Sequence, residues 1–196
     1  VVVTDGRGTG LERARALGPD VIVIDQEGVQ TWAFDLMRTL RDDPILHWAT
    51  VIVVDSAALF GPGNVPRLDV LAGKVKGLLA PDARVHEAAS RRESFDIRLE
   101  AIGPQRLLRI LAAFGGAYHL SIRGERTAVE LDVAEGLVAG VEAELPDQRK
   151  VGGLAALSAL LSMRTGRVHA DPREAPATAN LLLPVDDAIL TACEQA

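Results

Sequence analysis

Apolar residues fall along the chain in two rhythms. Through the first sixty residues, short β-branched runs alternate with helical spacing. Val1–Thr4, Val21–Ile24 (VIVI) and Val51–Val54 (VIVV) are continuous runs, the pattern of strands buried on both faces. Between them, Leu11–Leu17 reads as a short helix stopped by Gly18-Pro19. Thr31–Arg41 places Trp32, Leu36, Met37 and Leu40 on one helical face, with Asp43-Pro44 closing it. Strands separated by helices predict a parallel sheet whose strand ends share one ligand-binding edge. Asp5, Asp25 and Asp55 each follow one of these strands.

From Ala58 to Ser94 prolines and glycines interrupt the pattern. Leu68–Leu79 fits a helix, Ala83–His86 a short strand, and Ala88–Glu93 (AASRRE) a charged linker or an exposed helix end. The domain boundary is therefore expected near residue 90, giving segments 1–90 and 91–196. Beyond it, apolar and polar residues alternate. Phe95–Ile102 reads as a strand, and Gly103-Pro104 opens a helix with Leu107, Leu108, Leu111 and Phe114 on its apolar face. Tyr118–Ile122, Ala128–Val133 and Gly136–Ala143 read as three antiparallel strands joined by tight turns. Gly152–Met163 reads as a helix, Arg167–Ala170 as a last strand, and Asp186–Ala192 as a helix. The expected fold class is α/β: a partial flavodoxin- or receiver-like parallel sheet, then a smaller α+β domain with an antiparallel meander.

Composition narrows the functions. The formal charge is −6, from 21 Lys and Arg against 27 Asp and Glu. A protein that binds phosphate backbones carries the opposite balance, so no nucleic-acid partner is expected. The one cysteine, Cys193, excludes an intramolecular disulfide, and the four histidines lack zinc spacing. No apolar run is long enough to span a bilayer and no signal peptide is visible, so a cytoplasmic protein without membrane insertion is expected. The chain begins at Val1 rather than Met, so upstream residues are expected to be missing from it. The glycines of Gly6–Gly10, after a strand and before a helix, offer one alternative function. With Asp25 they would make a nucleotide- or dinucleotide-binding turn, although a GxGxxG motif begun at Gly6 needs a third glycine where Leu11 stands. In the second half His119, Glu130, Asp132 and His169 form a polar group with no nucleophile–base spacing.

Three strings carry a family resemblance. Ala16–Asp25 (ALGPDVIVID), Trp32–Leu46 (WAFDLMRTLRDDPIL) and Val51–Ala57 (VIVVDSA) resemble the receiver domain of two-component response regulators. The resemblance implies that Asp25 is the phosphoacceptor, because a strand-end carboxylate can attack a phosphoryl group held by Mg²⁺. It implies that Mg²⁺ is held by Asp25 and the backbone carbonyl of Glu27. Matching the Ser-Ala dipeptide puts Ser56 at the family's hydroxyl position; a slip of one residue puts Asp55 there. Val1–Thr4 aligns with the family's second strand, so the first strand and its acidic pair are absent. The second half resembles the PATAN domain in Ile97–Phe114, in the Gly116–Ala143 meander, in Gly152–Asp171 and in Asn180–Ala192. That resemblance implies a non-enzymatic regulatory module of bacterial signalling. Expected partners are proteins: a histidine kinase if Asp25 is phosphorylated, downstream signalling proteins, and a second copy as a homodimer.

Overall fold

A computed structural model describes residues 8–25, 32–55, 60–61, 65–66 and 68–194. The chain divides into two compact units, Val1–Leu78 and Leu79–Ala196.

In the first unit, α1 (Gly8–Leu17) leads to β1 (Val21–Asp25), and α2 (Trp32–Asp42) crosses to β2 (Thr50–Val54). The two strands pair in parallel, as expected, from Val21 opposite Thr50 to Asp25 opposite Val54. Leu40, Leu46 and Ile24 form a small core, against which Leu11, Ala14, Leu36 and Met37 pack. Asp43 ends α2. Its carboxylate is buried, takes the Nε of Arg15 at 2.6 Å, and accepts the N–H groups of Ile45 and Leu46 at 2.9 and 3.0 Å. These hydrogen bonds favour the charged form and outweigh the opposing burial, so its carboxyl titrates below the usual aspartate range. Two short strands, β3 (Phe60–Gly61) and β4 (Val65–Pro66), and the helix α3 (Leu68–Leu78) complete the unit. Two expectations change here. The β-branched runs do not mark strands buried on both faces, because Val23 and Val53 are 45% and 38% exposed. The first helix starts at Gly8, earlier than expected. The run Val1–Thr4 lies outside the described residues.

The second unit begins with α4 (Ala80–Arg91). The expected strand at Ala83–His86 is part of this helix, and of the two readings of Ala88–Glu93 the helix end is the one observed: α4 closes there, at Arg91–Arg92. Pro81 occupies its first turn, where a missing N–H costs nothing. Val85 and Ala89, one helical turn apart, are its buried residues. Arg92 ends it in the left-handed conformation, φ 54°, where its N–H caps the carbonyls of Ala88 and Ala89. The helix belongs to the second unit: Asp82 meets Arg106 at 3.3 Å, and the carbonyl of Ala88 accepts the Tyr118 hydroxyl at 3.4 Å. These contacts put the boundary at Leu78–Leu79 rather than near residue 90.

Strand β5 (Phe95–Arg98) then runs into one helical turn, α5 (Leu99–Ile102), so the expected strand through Ile102 stops at Arg98. Leu99 and Ile102 are buried from that turn. The helix α6 (Pro104–Phe114) starts on Pro104 and ends at Gly115, as its sequence predicts. Phe114 is not part of its buried face; it is 41% exposed and meets the His86 ring edge-on. Next come β6 (Ala117–Arg123), β7 (Ala128–Ala134) and β8 (Leu137–Glu144), the expected meander. The β7–β8 turn is two residues, with Glu135 and Gly136 at φ 50° and 80°. Positive φ at both positions matches the strand twist, and glycine adopts it without strain. A short β9 (Lys150–Gly152) precedes α7 (Leu154–Ser162), and β10 (Arg167–Arg173), β11 (Leu183–Pro184) and α8 (Val185–Glu194) finish the chain. Strands β9 and β11 are additions to the expected elements.

The sheet order is β11-β8-β7-β6-β10-β5, with β9 also on β8, and its pairs are antiparallel. Alternation makes its faces unlike. Leu120, Ile122, Val129, Leu131, Val141, Val168 and Ala170 face the helices and are all at most 1% exposed. Leu157, Leu160, Leu107, Leu111 and Ile189 come down from α7, α6 and α8 to meet them. Burying one such side chain contributes about 1.5–3 kcal/mol, which makes this layer the main source of the unit's stability. The other face carries the polar residues. Among the described residues, no helix is long and apolar enough to cross a membrane.

Candidate functional site

The first candidate is the carboxyl edge of the parallel pair. Asp25 is the last residue of β1 and pairs with Val54; Asp55 is the next residue along the neighbouring strand. Both aspartates are exposed. The crossover through α2 therefore brings two of the three strand-end aspartates to one edge, because the two strands run parallel. Asp5, Glu27 and Ser56 lie outside the described residues. Gly6 also lies outside the described residues, while Gly8 and Gly10 belong to the first turn of α1, with Gly10 buried. Among the described residues, no group of three His, Cys, Asp or Glu could hold a metal ion.

The second candidate is the polar face of the antiparallel sheet. Strand register brings His119 opposite Asp132 and Ser121 opposite Glu130. His119 lies between two carboxylates: its Nδ1 is 2.9 Å from Asp132 Oδ1 and its Nε2 is 3.2 Å from Glu130 Oε2. Asp132 is only 1% exposed, yet both of its oxygens are satisfied, the second by the Thr178 N–H at 2.8 Å. Glu130 also accepts the Ser121 hydroxyl at 3.2 Å and pairs with Arg123. On the adjacent β10, His169 Nδ1 meets Asp96 at 3.0 Å and its Nε2 meets Asp171 at 3.2 Å. Asp171 in turn accepts the Ser94 hydroxyl at 2.7 Å.

Chemically this face is a set of satisfied cross-strand pairs. Ser121 donates to a carboxylate rather than to an imidazole, and His119 engages carboxylates with both nitrogens, so the arrangement is not that of a nucleophile and base. The grouping of His119, Glu130 and Asp132 expected from the sequence is present. His169 belongs to a second trio on β10 and β5. Thr178, which holds the buried carboxylate, has no signal in the sequence. It lies in 174–182, a stretch with no strand or helix pattern that nevertheless runs along β8. There the Asn180 side chain bonds both the N–H and the C=O of Val141, at 2.9 and 3.0 Å, and so imitates a strand partner.

The two carboxylates beside His169 have a measurable effect. The hydrogen bond that its ring N–H donates to Asp96 and the charge of Asp171 hold its imidazole above the ordinary value of 6.5. A raised folded-state value means that the stabilisation is complete below about 6.5 and is lost as pH rises through that higher value. The NMR titration midpoint of His169 is expected above 6.5. It should fall toward that value in Asp96→Asn. A midpoint at or below 6.5 in the wild type would contradict the arrangement.

Fold and site together define a two-unit α/β protein: a parallel βαβ edge carrying aspartates, then an antiparallel sheet with helices on one face. Compared with family models, curated proteins and solved structures, the chain matches none of them.

Proposed function

We propose that the chain is a signal-transduction protein of response-regulator type, without enzymatic turnover. In this reading Asp25 receives a phosphoryl group, and the antiparallel unit makes protein contacts as output. The observation that carries the reading is the register of β1 and β2. It presents the exposed Asp25 carboxylate at a strand end, beside Asp55, with α2 as the crossover. The receiver-like strings of the sequence fall on these same elements.

The chemistry is substitution at phosphorus. A carboxylate oxygen of Asp25 forms a bond to phosphorus while the bond to the donor breaks. The donor is a phosphohistidine of a kinase or a small acyl phosphate, and the product is an aspartyl phosphate. Mg²⁺ would rest on the Asp25 carboxylate and the Glu27 carbonyl, both hard oxygen donors, and would neutralise phosphoryl charge. The added negative charge would arise beside Asp55, so repulsion at this edge would alter the strand ends and their loops. The satisfied polar face of the second unit, which lacks a nucleophile–base pair, supports a contact surface rather than a second reaction site.

Incubation with acetyl phosphate and Mg²⁺ is expected to add one phosphoryl mass to the intact protein. The adduct should be alkali-labile and absent from Asp25→Ala. An adduct that persists in Asp25→Ala, or none at all, would contradict the reading.

A further inference from the structure

The antiparallel sheet closes differently at its two ends. At one end β8 is covered by β9, β11 and the Asn180 side chain. At the other, β5 is the last strand, and among the described residues β10 is its only partner. The parity of that ladder is fixed by the Leu99 N–H, which donates to the Gly166 carbonyl at 2.9 Å. In the register of β5 and β10, Phe95 and Ile97 then turn their N–H and C=O groups toward β10. Asp96 and Arg98 turn theirs outward. The side chains of these two residues are 84% and 73% exposed. The helix layer leaves this edge open: a groove of about 250 Å³ separates α4 from β5, lined by Arg84, Ala88, Arg91, Phe95 and Ile97. An uncovered row of backbone donors and acceptors is a template for another strand.

The order of charges selects which strand. Two copies of β5 can pair antiparallel with Ile97 opposite the partner's Ile97. Asp96 then faces the partner's Arg98, and Arg98 faces the partner's Asp96. These are the outward-facing residues, so each pair exchanges both of its backbone hydrogen bonds. Both ion pairs fall on the polar face, while the half-buried Ile97 side chains meet on the other. Shifting the register to put Asp96 opposite Asp96, or Arg98 opposite Arg98, sets like charges against each other. Asp96 already lies 3.0 Å from His169, and Arg98 lies 3.4 Å from Glu100. Exposed pairs of this kind are weak, so both residues can share a second partner.

We propose that β5 is a self-complementary edge through which two copies of this chain join antiparallel, giving one continuous sheet across a two-fold axis. The occupant of the edge is a second copy. Its docking is independent of phosphoryl transfer to Asp25.

Sedimentation equilibrium of the full chain over a concentration series is the test. Wild-type protein is expected to dimerise. Asp96→Arg and Arg98→Asp each set like charges opposite each other and should weaken the dimer by about tenfold or more. An equimolar mixture of these two variants should associate again, because every cross-strand pair is then one Arg and one Asp. The double swap Asp96→Arg with Arg98→Asp should also restore the dimer. Arg98→Pro removes one outward N–H at a φ of −85° that proline accepts, and should abolish pairing with the ladder to β10 intact. A wild type that is monomeric throughout overturns the proposal. So does a dimer that survives both single variants, or a mixture that fails to associate while each variant keeps the wild-type circular dichroism spectrum.

Discussion

Gly140→Ala is expected to destabilise the antiparallel unit by about 3 kcal/mol or more, lowering its thermal midpoint by roughly 10–15 °C. The reason is a backbone crossing. A Cβ on Gly140 would stand 2.4 Å from the carbonyl oxygen of Thr178 and 2.5 Å from its carbonyl carbon, and a backbone atom cannot swing aside as a flexible side chain can. The 174–182 stretch would have to lift off β8. That motion breaks the Thr178 N–H bond to Asp132, the paired bonds between Asn180 and Val141, and the bond from the Leu181 N–H to Ala139 at 3.1 Å. Each lost hydrogen bond costs about 1 kcal/mol, and more where a buried group is left without a partner. The glycine sits beside the β-bulge at which the β7–β8 register shifts, between the Asp132–Gly140 and Val133–Val138 pairs. A midpoint within a few degrees of wild type would mean that this stretch does not pack on β8 as described.

The second large effect is at the carboxylate that the same stretch covers. Asp132→Ala should cost about 2–4 kcal/mol, because it orphans the Thr178 N–H and one nitrogen of His119 at a site only 1% exposed. Asp132→Asn keeps the size but turns an NH₂ toward one of the two N–H donors, so it should recover only part of the loss. A double-mutant cycle with His119→Ala separates the contributions. The coupling between Asp132 and His119 is expected to be favourable, on the order of 1 kcal/mol, and zero coupling would contradict the contact. Chemical denaturation followed by circular dichroism reads both values.

Much of this was legible in the sequence because it depends on spacing. The alternation through 117–134 and the short turn between β6 and β7, closed by the Gly124 N–H on the Thr127 carbonyl at 2.9 Å, fix a hairpin register, and that register puts His119 opposite Asp132. The β-branched runs at 21–24 and 51–54, with a helix between them, give the parallel pair and its aspartate edge. What escaped depends on tertiary context. The stretch Ala83–His86 is too short for its apolar residues to choose a period. It is the middle of α4, a twelve-residue helix that buries Val85 and Ala89 one turn apart. The strands β9 and β11 are three and two residues long and exist because β8 offers an edge. The stretch 174–182 has no periodicity at all. It is held by the Thr178 N–H and the Asn180 side chain, and neither contact has a local sequence signature.

The exposed Val23 and Val53 carry a similar lesson. A β-branched run reports strand propensity but not how many layers will cover it.

Asp25 as the acceptor of a phosphoryl group is the central claim. The direct measurement is the amide NMR spectrum of the wild type and of Asp25→Ala, each titrated with beryllium fluoride and Mg²⁺ as an unreactive phosphoryl mimic. Shift changes are expected to centre on Asp25 and Asp55 at the ends of β1 and β2, to spread into α2, and to be absent in the variant. Identical spectra with and without the mimic, or changes that persist in Asp25→Ala, would contradict it.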